Sequence, residues 1–221
     1  MSDDSFIREV DDELRQDRAK DLWQRYGLWI IAGAIAIVAG TAAVRGYQYW
    51  VETKANASGD AFLQAMTLAD EGKSDEALAA LASLEKDGYG SYPVLARLRA
   101  ATVQAEKGEF STAIEGFDSV SADSTIPVAI RDMARLRAAF LLVDHGSRED
   151  VLARAETLAS DGNPLRHSAR EALGLAGWKA GDAADALKLF EQISADSEAP
   201  RNARQRAELM AELIRGSGEG S

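Results

Sequence analysis

The apolar side chains of this chain follow one continuous pattern and one periodic pattern. Residues 26–44 contain no charged side chain. From residue 55 onward, apolar residues instead recur every three or four positions, as they do on one face of a helix. A helix needs about 20 apolar residues to cross a bilayer, so residues 26–44 are predicted to form a transmembrane helix. The period of three to four residues predicts a helical domain after it. The sequence therefore predicts an all-α protein.

Aromatic residues gather at both ends of the apolar run, where a spanning helix meets the lipid–water interface. A cleaved signal peptide would begin with a short, positively charged segment, whereas residues 1–25 hold more acidic than basic side chains. A buried helix of a soluble domain would normally have a polar face. We therefore interpret the run as a retained anchor, with a cleaved signal and a soluble core helix as the alternatives. The aromatic residues are Trp23, Tyr26, Trp29, Tyr47, Tyr49 and Trp50.

Basic residues near the ends of a span predict its orientation, because Lys and Arg remain on the cytoplasmic side. Those shortly before the run are Arg15, Arg18, Lys20 and Arg25, and those shortly after it are Arg45 and Lys54. This imbalance predicts that residues 1–25 are cytoplasmic and that residues 51–221 are exported. Residues 5–25 also have the pattern of an acidic amphipathic helix, which is either a docking element for a protein or a solvated lead-in to the span.

Small residues recur at four-residue spacing within the apolar run, at Ala32, Ala36 and Gly40. Such rows let a partner helix approach closely within a membrane. Small residues are also common in any membrane helix, so a helix–helix contact at these three positions is a hypothesis.

Prolines and glycines mark a repeat in the rest of the chain. The prolines are spaced 34, 37 and 36 residues apart, and each precedes a helical pattern. A glycine series, spaced 36, 38 and 35 residues apart, is predicted to end helices in the left-handed conformation. Two interlocked series with one period indicate two helices per repeat. The prolines are Pro93, Pro127, Pro164 and Pro200, and the glycines are Gly72, Gly108, Gly146 and Gly181.

A helix pair cannot bury its apolar face alone, so the pairs are expected to stack into a superhelix. We predict a linker over residues 45–54, four pairs and a capping helix over residues 55–215, and a flexible tail over residues 216–221. Ser147 and Asp150 have the spacing of a capping box. The other expected N-caps are Ser74, Ser111, Asn163 and Asp182.

Two of the repeats resemble the tetratricopeptide consensus. Lys107-Gly108-Glu109-Phe110-Ser111-Thr112-Ala113 followed by Phe117 matches its Gly–aromatic–Ala–Phe series, and Gly174, Gly181, Ala186 and Phe190 repeat most of it. The segment SFIREVDDELRQDRAKDLWQRYG, a single span and divergent repeats together resemble the ancillary subunit of the bacterial Sec translocon. This resemblance implies an inner-membrane protein whose periplasmic repeats associate with the translocon and with periplasmic chaperones and help exported proteins.

The resemblance also implies a binding groove, because the first helix of each tetratricopeptide pair lines the concave face. An apolar groove would suit an extended or helical hydrophobic segment of another protein. The alternative is that these apolar residues belong to the core. The positions carried over are Phe62, Met66 and Ala69; Leu98, Thr102 and Ala105; Leu136, Phe140 and Val143; Glu171, Leu175 and Trp178.

Composition argues against several other kinds of function. The net charge of −11 gives no electrostatic reason to bind nucleic acid, and the lack of cysteine excludes disulfides and thiolate chemistry. His145 and His167 have no further ligand at metal-binding spacing. No phosphate-binding or nucleophile motif occurs. We therefore expect no enzyme, no cofactor, no metal and no small-molecule substrate.

Two functional hypotheses remain. The first is a membrane-anchored, translocon-associated module that binds proteins through its groove. The alternative is a structural scaffold for an envelope or respiratory complex, in which the membrane helix carries the specific contact.

Overall fold

The computed structural model describes residues 3–217, with side chains from Lys20 onward. Over this range the fold is all-helical and contains no strand, which confirms the predicted fold class. Two compact units meet in sequence between Lys54 and Ala55. The helices are α1 Asp3–Asp70, α2 Ser74–Asp87, α3 Tyr92–Glu106, α4 Phe110–Ala122, α5 Val128–His145, α6 Arg148–Ala155 with a 3-10 turn at Glu156–Ala159, α7 Arg166–Lys179, α8 Ala183–Ala195 and α9 Arg201–Ser217.

The described part of the first unit is helical and belongs to α1. Within α1, the apolar stretch is long and apolar enough to cross a membrane, and only 6% of its most apolar window is buried within the chain. Residues 45–54, expected as a linker, are helical as well. The predicted acidic face of residues 1–25 falls largely on side chains before Lys20, and the predicted tail includes residues 218–221; these lie outside the described residues.

The second unit is a series of helices in which each packs against the next along the chain. One buried position recurs on the first helix of each pair, seven residues before the turn glycine, and it always carries Ala or Gly. Small side chains at this position allow the second helix of the pair to pack closely against the first. At Gly174, an added Cβ would lie 2.9 Å from the Cζ of Phe190. The four residues are Ala65, Ala101, Ala139 and Gly174.

Three of the four predicted glycine turns have the expected left-handed conformation. Gly72, Gly108 and Gly181 have φ of 78°, 83° and 86°. At Gly72, the glycine N–H donates to Ala69 O and the next N–H donates to Leu68 O, which is the Schellman arrangement. The same bonds occur at the other two turns.

The prediction for Gly146 was wrong, because this glycine is extended, with φ −133° and ψ −169°. Only Gly146 and Ser147 separate α5 from α6, whereas three residues separate the helices at the other glycine turns. The shorter turn has no room for the left-handed residue. A Cβ added at Gly146 would lie 2.5 Å from Cδ2 and 3.2 Å from O of Leu142, so Leu142 would have to shift to accept a side chain there.

The capping predictions had mixed outcomes. Ser147 and Asp150 form the predicted capping box at the start of α6. Ser74 and Ser111 instead lie inside α2 and α4, one position or more after the N-caps Lys73 and Glu109. Other predicted caps differ in detail: Asp182 is an N-cap without a capping side-chain bond, and Asn163 accepts a hydrogen bond from Leu165 N in a turn just before α7.

Candidate functional site

The first helix of each pair carries the predicted groove positions; we call residues 55–70, α3, α5 and α7 the A helices. Two predicted residues on the first of them, Phe62 and Met66, are half-buried, and the ring of Phe62 lies 6.1 Å from that of Tyr92. Leu98 is half-buried against the core formed by α3, α4 and α5. Thr102 is also half-buried, and its hydroxyl donates to Leu98 O.

The predicted residues on α5 and α7 differ in accessibility. Leu136 is only 5% exposed and packs in one cluster with Ala169, Ala172 and other residues of α6 and α7, so we leave it out of the binding surface. Phe140 is 36% exposed. Leu175 and Trp178 are half-buried against the core formed by α8 and α9. Of the α5 and α7 positions, Phe140 is therefore the most exposed.

The structure adds exposed residues that the sequence analysis did not select. Met133, Arg137 and Phe140 lie at i, i+4 and i+7 and share one exposed face of α5. On α3, Leu95 is 40% exposed and lies two turns before Thr102 on the same face. Thr102 Oγ1 accepts a hydrogen bond from Arg137 at 3.1 Å, which joins the two faces. We call the exposed side chains of Leu95, Met133, Arg137 and Phe140 the A-helix surface.

A repeat alignment could have identified Arg137. It lies nine residues before Gly146, as Arg99 lies nine residues before Gly108. The sequence analysis considered only the mainly apolar positions of the tetratricopeptide groove and therefore passed over both arginines.

Polar side chains tie each A helix to the one before it. Arg99 lies 3.6 Å from Asp70, and Lys179 Nζ donates to two carbonyl oxygens at the end of α5, at 2.9 Å and 2.8 Å. At the end of the series, Arg206 of α9 donates to both carboxylate oxygens of Glu171, at 2.6 Å and 2.7 Å. The Glu171 carboxylate raises the pKa of Arg206. These contacts link neighbouring A helices, and α7 to α9.

The second helices are linked by a separate set of ion pairs. Arg154 of α6 lies 2.7 Å from Asp118 of α4, and Arg148 pairs with Asp182 and Asp185 at the start of α8. The hydrogen bond to Asp118 raises the pKa of Arg154. The basic and acidic side chains of this set are therefore largely committed to holding neighbouring pairs together.

The two histidines have structural surroundings. His145 stacks on Phe110, with ring centroids 3.5 Å apart. The buried His167 lies 2.8 Å from Asp196 in the loop before α9, and Arg166 also binds this carboxylate. Hydrogen bonds from His167 and its neighbours hold the pKa of Asp196 well below its usual range. Within the described part of the chain, no group of three His, Asp or Glu side chains could hold a metal ion.

The sequence model of a family described as a tetratricopeptide repeat-like domain matches residues 20–164, more than half of the chain. The matched range includes the apolar run as well as α2 to α6. No curated protein and no solved structure matches the chain.

Proposed function

The chain belongs to the tetratricopeptide repeat-like domain family, and we propose that it is a protein-binding module anchored in the bacterial inner membrane by residues 26–44. Its repeats then lie in the periplasm, where they serve the Sec translocon by linking exported proteins to periplasmic chaperones. Domains of this kind are protein–protein interaction modules, which supports a protein partner for this chain.

The observation that supports binding by the repeats is the A-helix surface. Met133 and Leu95 are 41% and 40% exposed, although they belong to the helices that form the core. Apolar side chains that are exposed on neighbouring helices are available for contact with a protein partner. Aromatic residues dominate many such interfaces, which makes Phe140 the anchor to test.

The anchor and its orientation are supported by sequence. The apolar run is almost entirely exposed in the isolated chain, and a helix of this composition would not remain exposed in water. More basic residues precede it than follow it, which favours a cytoplasmic N-terminus. The translocon assignment rests on the resemblance of the N-terminal segment and the single-span layout.

Site-specific photocrosslinking tests the proposal in membranes. A photoreactive residue at position 140 should capture exported chains and periplasmic chaperones, while the intact protein should co-purify with translocon subunits in mild detergent. Phe140→Ala should reduce capture from a probe at position 133. Leu209→Ala is the matched control, because Leu209 is 67% exposed but lies on α9. Trp178 is a poor test position, since its half-buried side chain supports the core.

The scaffold alternative predicts a different dependence. Ala32, Ala36 and Gly40 are exposed, and a Cβ at Gly40 would meet nothing within 4 Å in this chain, which leaves room for a partner helix. If enlarging these three residues abolishes co-purification with one stoichiometric partner while Phe140→Ala has no effect, the scaffold hypothesis replaces the groove hypothesis. Fractionation of the protein as a soluble species would contradict both.

A further inference from the structure

We propose that Arg137 makes the A-helix surface selective for protein segments that carry an acidic side chain next to an apolar one. The inference rests on the proposed function, because it requires that this surface binds protein. It concerns which protein segments the A-helix surface prefers, and it is based on the geometry around the guanidinium group of Arg137.

Arg137 differs from the other arginines that tie the A helices together. Arg99 has Asp70 at 3.6 Å and Glu106 at 3.4 Å, and Arg206 is doubly bonded to Glu171. Arg137 instead donates to the neutral hydroxyl of Thr102. Among the side chains from Lys20 to Ser217, no carboxylate forms an ion pair with Arg137. Its charge is therefore left without an acidic partner, in a chain whose net charge is −11.

The surroundings of Arg137 combine this charge with apolar surface. Met133 lies one turn before it and Phe140 one turn after it, and these two side chains are 41% and 36% exposed. The guanidinium carbon lies 5.9 Å from the centroid of the Phe117 ring, so the side chain rests on apolar surface while its head remains accessible. Asp144 lies seven residues further along the same face, which is the spacing at which Arg99 pairs with Glu106, but it forms no ion pair with Arg137.

This arrangement fits one chemical class of ligand. A guanidinium binds a carboxylate through two parallel hydrogen bonds, and flanking apolar side chains bury the ligand's neighbouring apolar residue. A segment with only apolar residues would cover Arg137 without pairing its charge, which is unfavourable. An acidic residue adjacent to an apolar residue satisfies both requirements.

Selection from a random 12-residue peptide library displayed on phage tests the inference, with the full-length protein held in nanodiscs. The wild type should enrich peptides in which Asp or Glu neighbours an apolar residue. Arg137→Gln should still enrich apolar peptides but should lose the acidic preference. Lys188→Gln is the control for net charge, because Lys188 is an exposed cation on α8.

One enriched peptide and its Asn or Gln counterpart then give the affinities. Since exposed ion pairs are weak, we expect the wild type to bind the amide version about five-fold less tightly. Arg137→Gln should bind both peptides equally. Enrichment of apolar peptides without acidic preference would overturn this inference while leaving protein binding by the surface intact. If no peptide is enriched on the wild type, or if Phe140→Ala enriches the same peptides, both proposals fail.

Discussion

Replacement of Gly174 by alanine isolates the close contact between α7 and α8. An added Cβ at Gly174 would lie 2.9 Å from Cζ and 3.0 Å from Cε2 of Phe190. Phe190 is 0% exposed and packs within the core of α8 and α9, so its ring has little freedom to move away. Either the ring or the helix must shift to accept the methyl group.

The expected magnitude follows from two opposing effects. Alanine in a helix interior is favoured over glycine by about 1 kcal/mol, whereas overpacking a core costs about 1–3 kcal/mol. At Gly177, three residues further along α7, the nearest atoms to an added Cβ are 3.8 Å away, which is ordinary contact. Gly177→Ala should therefore raise the free energy of unfolding by up to about 1 kcal/mol. The free energy of unfolding of Gly174→Ala should be about 1–3 kcal/mol lower than that of Gly177→Ala.

Urea unfolding of the full chain in mild detergent, followed by circular dichroism, measures both variants. The midpoint of Gly174→Ala should lie clearly below that of Gly177→Ala, with similar slopes. Phe190→Leu removes the ring edge, so in that background Gly174→Ala should become less harmful, as a double-mutant cycle would detect. Equal stability of the two alanine variants would refute the packing argument.

Two further predictions concern local features. Ser147→Ala should lower the free energy of unfolding by about 1 kcal/mol because it removes the capping box of α6. Ser111→Ala, inside α4, is the control and should not lower it. Thermal unfolding of both variants tests the difference. Hydrogen bonds from Thr125 and then Arg97 lower the pKa of Asp123 to about 2. The stability lost in Asp123→Asn should therefore be constant above about pH 5 and should decrease as the pH falls from about 4 through about 2. A difference that is undiminished at pH 2 would contradict this assignment.

Much of the fold was predictable because helix ends depend on local chemistry. Pro93 lies in the first turn of α3, and Pro127 and Pro200 stand immediately before α5 and α9. Gly72 and Gly108 adopt the left-handed conformation that a Schellman turn requires. These constraints act within a few residues, so their spacing located the starts of α3, α5 and α9 and three of the glycine turns. α7 instead begins at Arg166, two residues after Pro164.

The backbone conformation of Gly146 could not be predicted from local sequence signals. Its sequence context resembles that of the other turn glycines, yet α5 ends one residue closer to its glycine than the first helices of the other pairs do, and Gly146 is extended. The capping box of Ser147 and Asp150 competes with the left-handed turn for the same residues and fixes the start of α6. The outcome depends on which local signal is stronger, and spacing does not report that.

The binding surface was less predictable because accessibility depends on neighbouring helices. Leu136 and Phe140 both occupy groove positions in the tetratricopeptide pattern, but Leu136 is 5% exposed and Phe140 is 36% exposed. The difference arises from α7, whose small residues Ala169 and Ala172 share a core cluster with Leu136. Nothing in the sequence of α5 alone distinguishes the two positions.

The burial of Leu136 against α7 also explains why charge, more than apolar area, should set the binding specificity of the A-helix surface. Burial of Leu136 against α7 reduces the apolar area of the A-helix surface, so Met133 and Phe140 remain as separated contacts on either side of Arg137. Two partly exposed side chains supply limited and unspecific affinity. The guanidinium between them adds a directional requirement that only an acidic group meets. If selection instead depends on apolar content alone, the directional argument is wrong, and a photocrosslinker at position 136 would test whether Leu136 adds apolar area by becoming accessible on binding.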